Sequence, residues 1–278
     1  MFQLLSPDHR KSLILLVGKI SDSPRSDIRE NLTRLIERVR SDIPEKKRIS
    51  LGRYSIVRDL GLEMYPLLAE SGVDAFAFGV SLFEKRDADP FVRSLGVQLV
   101  SIHGLEPGSL DEVLEVFRRA AADEDWLVRE CSAGFVRKLV KEYPEELRRW
   151  YLAMVRSEDP LKRRFASESL RPVADNRWFR NNSDYVFSII EHLFTEPDAY
   201  PRTSAGNALS DWMRIGEERT RALVERLAKS GNRNSYWIAY RACRNLVKKD
   251  PLWVLDTLGV EEYKYKDRFF ARKEEEQS

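Results

Sequence analysis

A chain of 278 residues, 42% hydrophobic and 33% charged, is long enough to bury a sizeable core as one elongated domain or two compact ones. Two cysteines, Cys131 and Cys243, exclude a disulfide framework and a thiolate metal site, which makes a reducing cytoplasm the default location. The first residues lack a basic stretch leading into an apolar one, and no apolar run approaches the roughly 20 residues of a spanning helix. Neither a signal peptide nor a membrane partner is therefore expected.

The net charge of +2 conceals a gradient: −3 over residues 1–125, +7 over 126–250 and −2 over 251–278. An excess of cations in the second half suits a polyanionic partner. It equally suits a solvated, arginine-rich helical surface, and charge alone does not separate the two.

Nearly every segment reads as helix, because good helix formers dominate and glycine and proline gather at joints. Residues 9–19 and 27–41 are amphipathic, the second with Leu32, Leu35, Ile36 and Val39 on one stripe. Helices over 53–60, 63–70 and 73–84 follow, separated by short glycine-containing turns. From about residue 89 the chain repeats. Copies open at Asp89-Pro90-Phe91-Val92-Arg93, Asp125-Trp126-Leu127-Val128-Arg129, Asp159-Pro160-Leu161-Lys162-Arg163 and Asp198-Ala199-Tyr200-Pro201-Arg202, with a looser fifth at Ser235. The anchors advance by 36, 34, 39 and 37 residues, one helix-turn-helix unit each. An acid followed four residues later by arginine resembles the HEAT repeat.

Seven residues past each anchor stand Gly96, Ser132, Ala166, Ala205 and Ala242, and eleven past stand Val100, Val136, Leu170, Leu209 and Leu246. A small residue and an aliphatic one four apart let helices approach and bury a continuous seam. The expected fold is all-α: an α-solenoid of HEAT-like repeats, curved around a concave basic groove. A single domain over residues 1–260 is expected, followed by a charged, frayed tail over 261–278. The repeat arginines Arg93, Arg129, Arg163 and Arg202 read as bridges between copies.

Positions five, nine and thirteen past each anchor form a second line, about 200° around the helix from the small residues. In the middle copies this line carries Glu130, Arg164, Glu168, Asn207 and Asp211, with Trp126 one turn before Glu130. Arg171 follows the third copy, and Arg241, Arg244 and Lys248 belong to the last. The line is either a solvated outer face or the lining of a groove that binds an extended partner, and the residues alone leave both readings open.

The motifs Asp125-Trp126-Leu127-Val128-Arg129-Glu130-Cys131-Ser132-Ala133, Ser167-Glu168-Ser169-Leu170-Arg171-Pro172 and Ala205-Gly206-Asn207-Ala208-Leu209-Ser210-Asp211 resemble the HEAT-like-repeat alkylpurine DNA glycosylases, the AlkC and AlkD type of DNA alkylation repair proteins. The match runs over residues 123–251 and leans toward the AlkC pattern. It implies a monomer that cradles double-stranded DNA carrying alkylated bases and excises cationic N3- or N7-alkylated purines without a cofactor or metal. Position by position it implies Glu130 as the catalytic carboxylate, with Glu168 and Asp211 as acids beside it. Trp126 then contacts the lesion's sugar-phosphate and Arg164 holds a phosphate. Asn207 stands where the AlkD type has a further tryptophan, so that aromatic cradle is incomplete. Arg171, Arg241, Arg244 and Lys248 complete the expected DNA-contacting set. The alternative is a HEAT-repeat scaffold that binds a protein or nucleic acid without catalysis.

Overall fold

In the computed structural model, residues 4–47, 52–172 and 177–272 are described. The chain divides into two compact units, residues 1–147 and 148–278. Helices come in chain order as α1 (Pro7–Val17), α2 (Arg25–Asp42), α3 (Arg53–Glu70), α4 (Ala75–Phe83), α5 (Pro90–His103), α6 (Leu110–Ala121), α7 (Trp126–Phe135), α8 (Arg137–Glu142) and α9 (Pro144–Val155). The series continues with α10 (Pro160–Ser169), α11 (Arg177–Asn181), α12 (Ser183–Ile190), α13 (Ala199–Trp212), α14 (Glu217–Ala228), α15 (Arg233–Ala242) and α16 (Pro251–Leu258). A short antiparallel hairpin follows, β1 (Glu262–Tyr265) with β2 (Arg268–Ala271). The fold is thus the expected all-α, HEAT-like one, and no described helix is long and apolar enough to cross a membrane.

The repeat register is visible in the helix starts. Asp89, Asp125 and Asp159 each sit one residue before a helix and accept a hydrogen bond from the backbone N–H two residues on, at 2.8, 2.7 and 2.9 Å. Each satisfies one of the amide donors that a helix start leaves without an intrahelical acceptor. The last copy starts differently: Asn232, three residues before Ser235, caps α15 by accepting from Asn234 and Ser235. This is why the fifth copy looks loose in sequence: its cap stands nearly a turn earlier relative to the seam. All ten seam positions are buried. Gly96 in α5 faces Gly79 in α4, where a Cβ on Gly79 would stand 2.8 Å from the Gly96 carbonyl oxygen. The two backbones meet at a distance that only glycine permits.

Three of the four repeat arginines, Arg93, Arg163 and Arg202, bridge as expected. Arg93, itself buried, ion-pairs with the buried Asp123 in the turn before the next copy and donates to the Phe83 carbonyl at 3.2 Å. Arg163 grips Glu196 through Nε and Nη2 at 2.9 and 3.0 Å, and also pairs with Asp198. Arg202 donates to Asn234 Oδ1 at 2.7 Å. Arg129 turns back to the carbonyls of Asp123 and Glu124 at 2.5 and 2.9 Å. Both cysteines are buried small apolar residues, and desolvation pushes each thiol up to about 12.

Two expectations change. The break expected after residue 60 is absent: α3 runs unbroken from Arg53 to Glu70, with Gly61 inside it against the side chain of Gln98 on α5. A helical glycine that serves a close approach has the same sequence signature as a turn. The frayed tail is instead an ordered hairpin over residues 262–271, with Tyr263 only 1% exposed. Residues 273–278, which hold Glu274-Glu275-Glu276, lie outside the described residues.

Removing the carboxylate of Asp123 leaves the Arg93 guanidinium buried without its counter-charge. Asp123→Ala is expected to destabilise the chain by about 3–5 kcal/mol, measured by denaturant unfolding.

Candidate functional site

In the first unit, α7 presents Trp126, Glu130 and Gly134 at four-residue spacing, so all three share one helix face. That face opens progressively toward the helix start. Gly134 is buried, Glu130 half-buried and Trp126 51% exposed. The cover comes from α3, which packs on both α5 and α7. The Tyr54 ring lies directly on Gly134, in the space that any side chain there would fill, and stacks on Phe135 with ring centroids 5.1 Å apart. The Arg53 guanidinium sits 4.8 Å from the centre of the Trp126 ring, within cation–π range. Glu130 therefore stands between a tyrosine packed one turn below it and a cation-capped tryptophan one turn above.

The same line in the neighbouring copy is closed. Ser94 and Gln98 of α5 are fully buried, with Gly61 of α3 against Gln98. The second line read from the sequence is thus covered at these two positions, whereas on α7 it opens at Glu130 and Trp126.

In the second unit, the segments around α10, α13 and α15 bring seven of the expected residues into two polar groups. Arg171 is the link: it donates through Nη1 to Glu168 Oε2 at 2.9 Å and through Nε to Asp211 Oδ2 at 2.7 Å. Arg164 stands 3.9 Å from the other Glu168 oxygen, with its guanidinium 5.0 Å from the Tyr200 ring centre. Arg164 and Glu168 are 5% and 4% exposed. Burial opposes the charge on Glu168, yet Arg171 and Arg164, with hydrogen bonds from Arg171 and Ser204, hold its carboxyl below the ordinary value of 4.5. Burial also works against the Arg171 charge, but Glu168 and Asp211 together push its pKa up. Asn207 Oδ1 accepts from Arg241 Nε at 2.9 Å and from Arg244. The Arg244 guanidinium is held down by burial and by the neighbouring Arg241. Lys248 is exposed, its ammonium 5.1 Å from the Tyr265 ring.

Sequence reasoning missed Arg53, Tyr54, Tyr200 and Ser204. Gly134 was the available signal for Tyr54, since a glycine on a helix face marks a place where something packs against backbone. No cluster of metal-ligating side chains occurs among the described residues.

The helical-repeat class is also what comparison with solved structures returns. AlkD2 from Streptococcus mutans superposes with a TM-score of 0.57 at 18% identity, covering 76% of this chain and 97% of that one. The Pseudomonas fluorescens alkylpurine DNA glycosylase AlkC, bound to DNA containing an abasic site analogue, gives 0.54 at 15% identity over 93% of this chain and 68% of its own. The protein smu.31 from Streptococcus mutans UA159 gives 0.53 at 19% identity over 69% and 98%. At these identities the likeness is one of fold. No family model matches the sequence, and no curated protein matches it.

Two outcomes follow from this packing. Gly134→Ala drives a methyl group into the Tyr54 ring and is expected to cost about 1–3 kcal/mol, and much less when introduced into a Tyr54→Ala background, as a double-mutant cycle of denaturant unfolding would measure. The depressed Glu168 pKa means that the unfolded chain holds the proton more readily. Its contribution to stability is complete above about pH 4.5 and is lost as pH falls through the lower folded value. Unfolding curves between pH 3 and 6 should therefore be flatter for Glu168→Gln than for the unaltered chain.

Proposed function

We propose that the chain binds double-stranded DNA and excises cationic N3- or N7-alkylated purines as a monofunctional glycosylase, with Glu130 as its catalytic carboxylate. The observation that carries this reading is the α7 face. A half-buried carboxylate is set between an open indole and a tyrosine-covered glycine, on a fold shared with an alkylpurine DNA glycosylase crystallised on DNA.

The chemistry asks little of the protein. An alkylated purine is cationic and leaves without a general acid, so the demand falls on the sugar, which becomes oxocarbenium-like as the glycosidic bond breaks. A fixed carboxylate beside it stabilises that charge and orients or deprotonates the attacking water. Trp126 supplies an aromatic face that excludes water from the sugar. A carboxylate forms no Schiff base with the sugar, so a reaction carried by Glu130 is hydrolysis and leaves an abasic product.

In this reading Glu168 and Asp211 act through position. Both are clamped by Arg171, so they fix its guanidinium rather than exchange protons. Arg164 is buried and engaged with Glu168 and Tyr200, which leaves phosphate contacts to the more open Arg171, Arg241, Arg244 and Lys248. Asn207 orients Arg241 and Arg244. The second reading, a scaffold that binds without catalysis, draws on the same network: an acid paired with arginine is what a purely structural cluster also contains.

Release of 7-methylguanine or 3-methyladenine from methylated DNA tests the proposal. Glu130→Gln is expected to lower the rate by about 10²–10³-fold while DNA affinity is retained. Equal release by both proteins removes Glu130 from the mechanism. Binding without release by the unaltered chain favours the scaffold.

A further inference from the structure

The hairpin is the one β element among the described residues of an otherwise helical chain, and the function proposed above gives it no task. An isolated two-stranded ribbon is marginal in water and holds its shape only by packing on something. Here one face does so. Tyr263 stacks on Tyr240 of α15 with ring centroids 4.3 Å apart and donates its hydroxyl to the Tyr240 carbonyl at 2.7 Å. Tyr240 in turn bonds the Lys264 backbone at both N–H and C=O, at 3.1 and 3.2 Å. Tyr265 on the same side lies under the Lys248 ammonium. The ribbon is therefore fixed to positions five and thirteen of the last repeat, on the line that also carries Arg244.

The other face is turned outward and has a different chemistry. Lys264 pairs across the ladder with Phe269, and its ammonium lies 5.2 Å from that ring. Phe269 is 59% exposed and presents its ring to solvent beside that ammonium. Lys266 forms the tip with φ +55°, a left-handed conformation uncommon for a lysine, and Arg268 stands beside it. Lys264 thus flanks the exposed ring on its own face, which also carries Glu262. Lys266 at the tip reaches back to 5.8 Å from the Tyr265 ring, Arg268 pairs with Tyr265 across the ladder, and Asp267 is the acid at the tip.

We infer that the hairpin Glu262–Ala271 is a duplex-DNA contact: its outer face lays Phe269 against the groove while Lys264 and Lys266 neutralise flanking phosphates. A two-stranded ribbon has the width that a DNA groove admits, and cations interleaved with an aromatic ring match phosphate beside sugar and base. A purely apolar protein partner would not call for a lysine beside the ring and another at the tip. The inference rests on the DNA-binding reading given above.

Fluorescence anisotropy with undamaged and methylated duplexes, over a range of salt, separates the two ideas. None of the altered side chains touches Tyr240 or carries the Tyr263 anchor, so Lys264→Ala/Lys266→Ala and Phe269→Ala should melt with the unaltered chain. The double lysine variant is expected to lower the log–log salt slope by between about 1 and 2, since each phosphate contact contributes about 0.9. Phe269→Ala is expected to weaken binding about tenfold and leave the slope unchanged. If the unaltered chain binds DNA and both variants match it in affinity and slope, the hairpin is not a contact and the glycosylase proposal stands untouched. If the unaltered chain binds no DNA at all, both readings fall.

Discussion

Everything in this chain hangs on an arginine that reaches from one repeat into the turn before the next. Stacked helices can bury their apolar seam in many registers, because leucine, valine and alanine pack without direction. A guanidinium is directional. Arg93 on Asp123, Arg163 on Glu196 and Arg202 on Asn234 each fix where one copy stands against its successor. The pairs are largely buried, so their net contribution to stability is modest, whereas losing one partner is costly. Such contacts select an arrangement more than they deepen it. Asp198 shows the competition openly: it is the anchor that gives no side-chain cap to its own helix, and its carboxylate pairs with Arg163.

The repeats were legible because their constraints are local. A cap must precede its helix, a small residue must stand where backbones touch, and an aliphatic must follow one turn later; each leaves a mark at fixed spacing. The seam from Gly96 to Leu246 could be read off in this way. The stretch before residue 89 carried no such period, and the position of α3 could not be read. That helix decides which part of the second line is open, since Gly61 packs on Gln98 and Tyr54 on Gly134, while Trp126 beside Arg53 stays half exposed. The sequence can place a residue on a helix face, but the cover on that face comes from a segment tens of residues distant.

The same limit explains the second unit. Repeat spacing put Arg164, Glu168, Asn207 and Asp211 on one line together with Glu130, and Arg171, Arg241 and Arg244 were added beside it. Their partition into pairs was beyond the sequence, because it depends on which guanidinium lies between which carboxylates. The tail misled for a related reason. Residues 262–271 are charge-rich, as a solvated segment would be, but Tyr263 and Tyr240 find each other across more than twenty residues and turn that segment into a ribbon.

The two cysteines gain a further meaning beside this chemistry. Agents that alkylate purines are electrophiles, and inside a cell the softest nucleophile they ordinarily meet is a thiolate. Cys131 and Cys243 are sealed in the seam with their thiols held up to about 12, so at neutral pH the reactive anion is all but absent. Burial that began as helix packing thus also keeps both thiols protonated and away from electrophiles in solution.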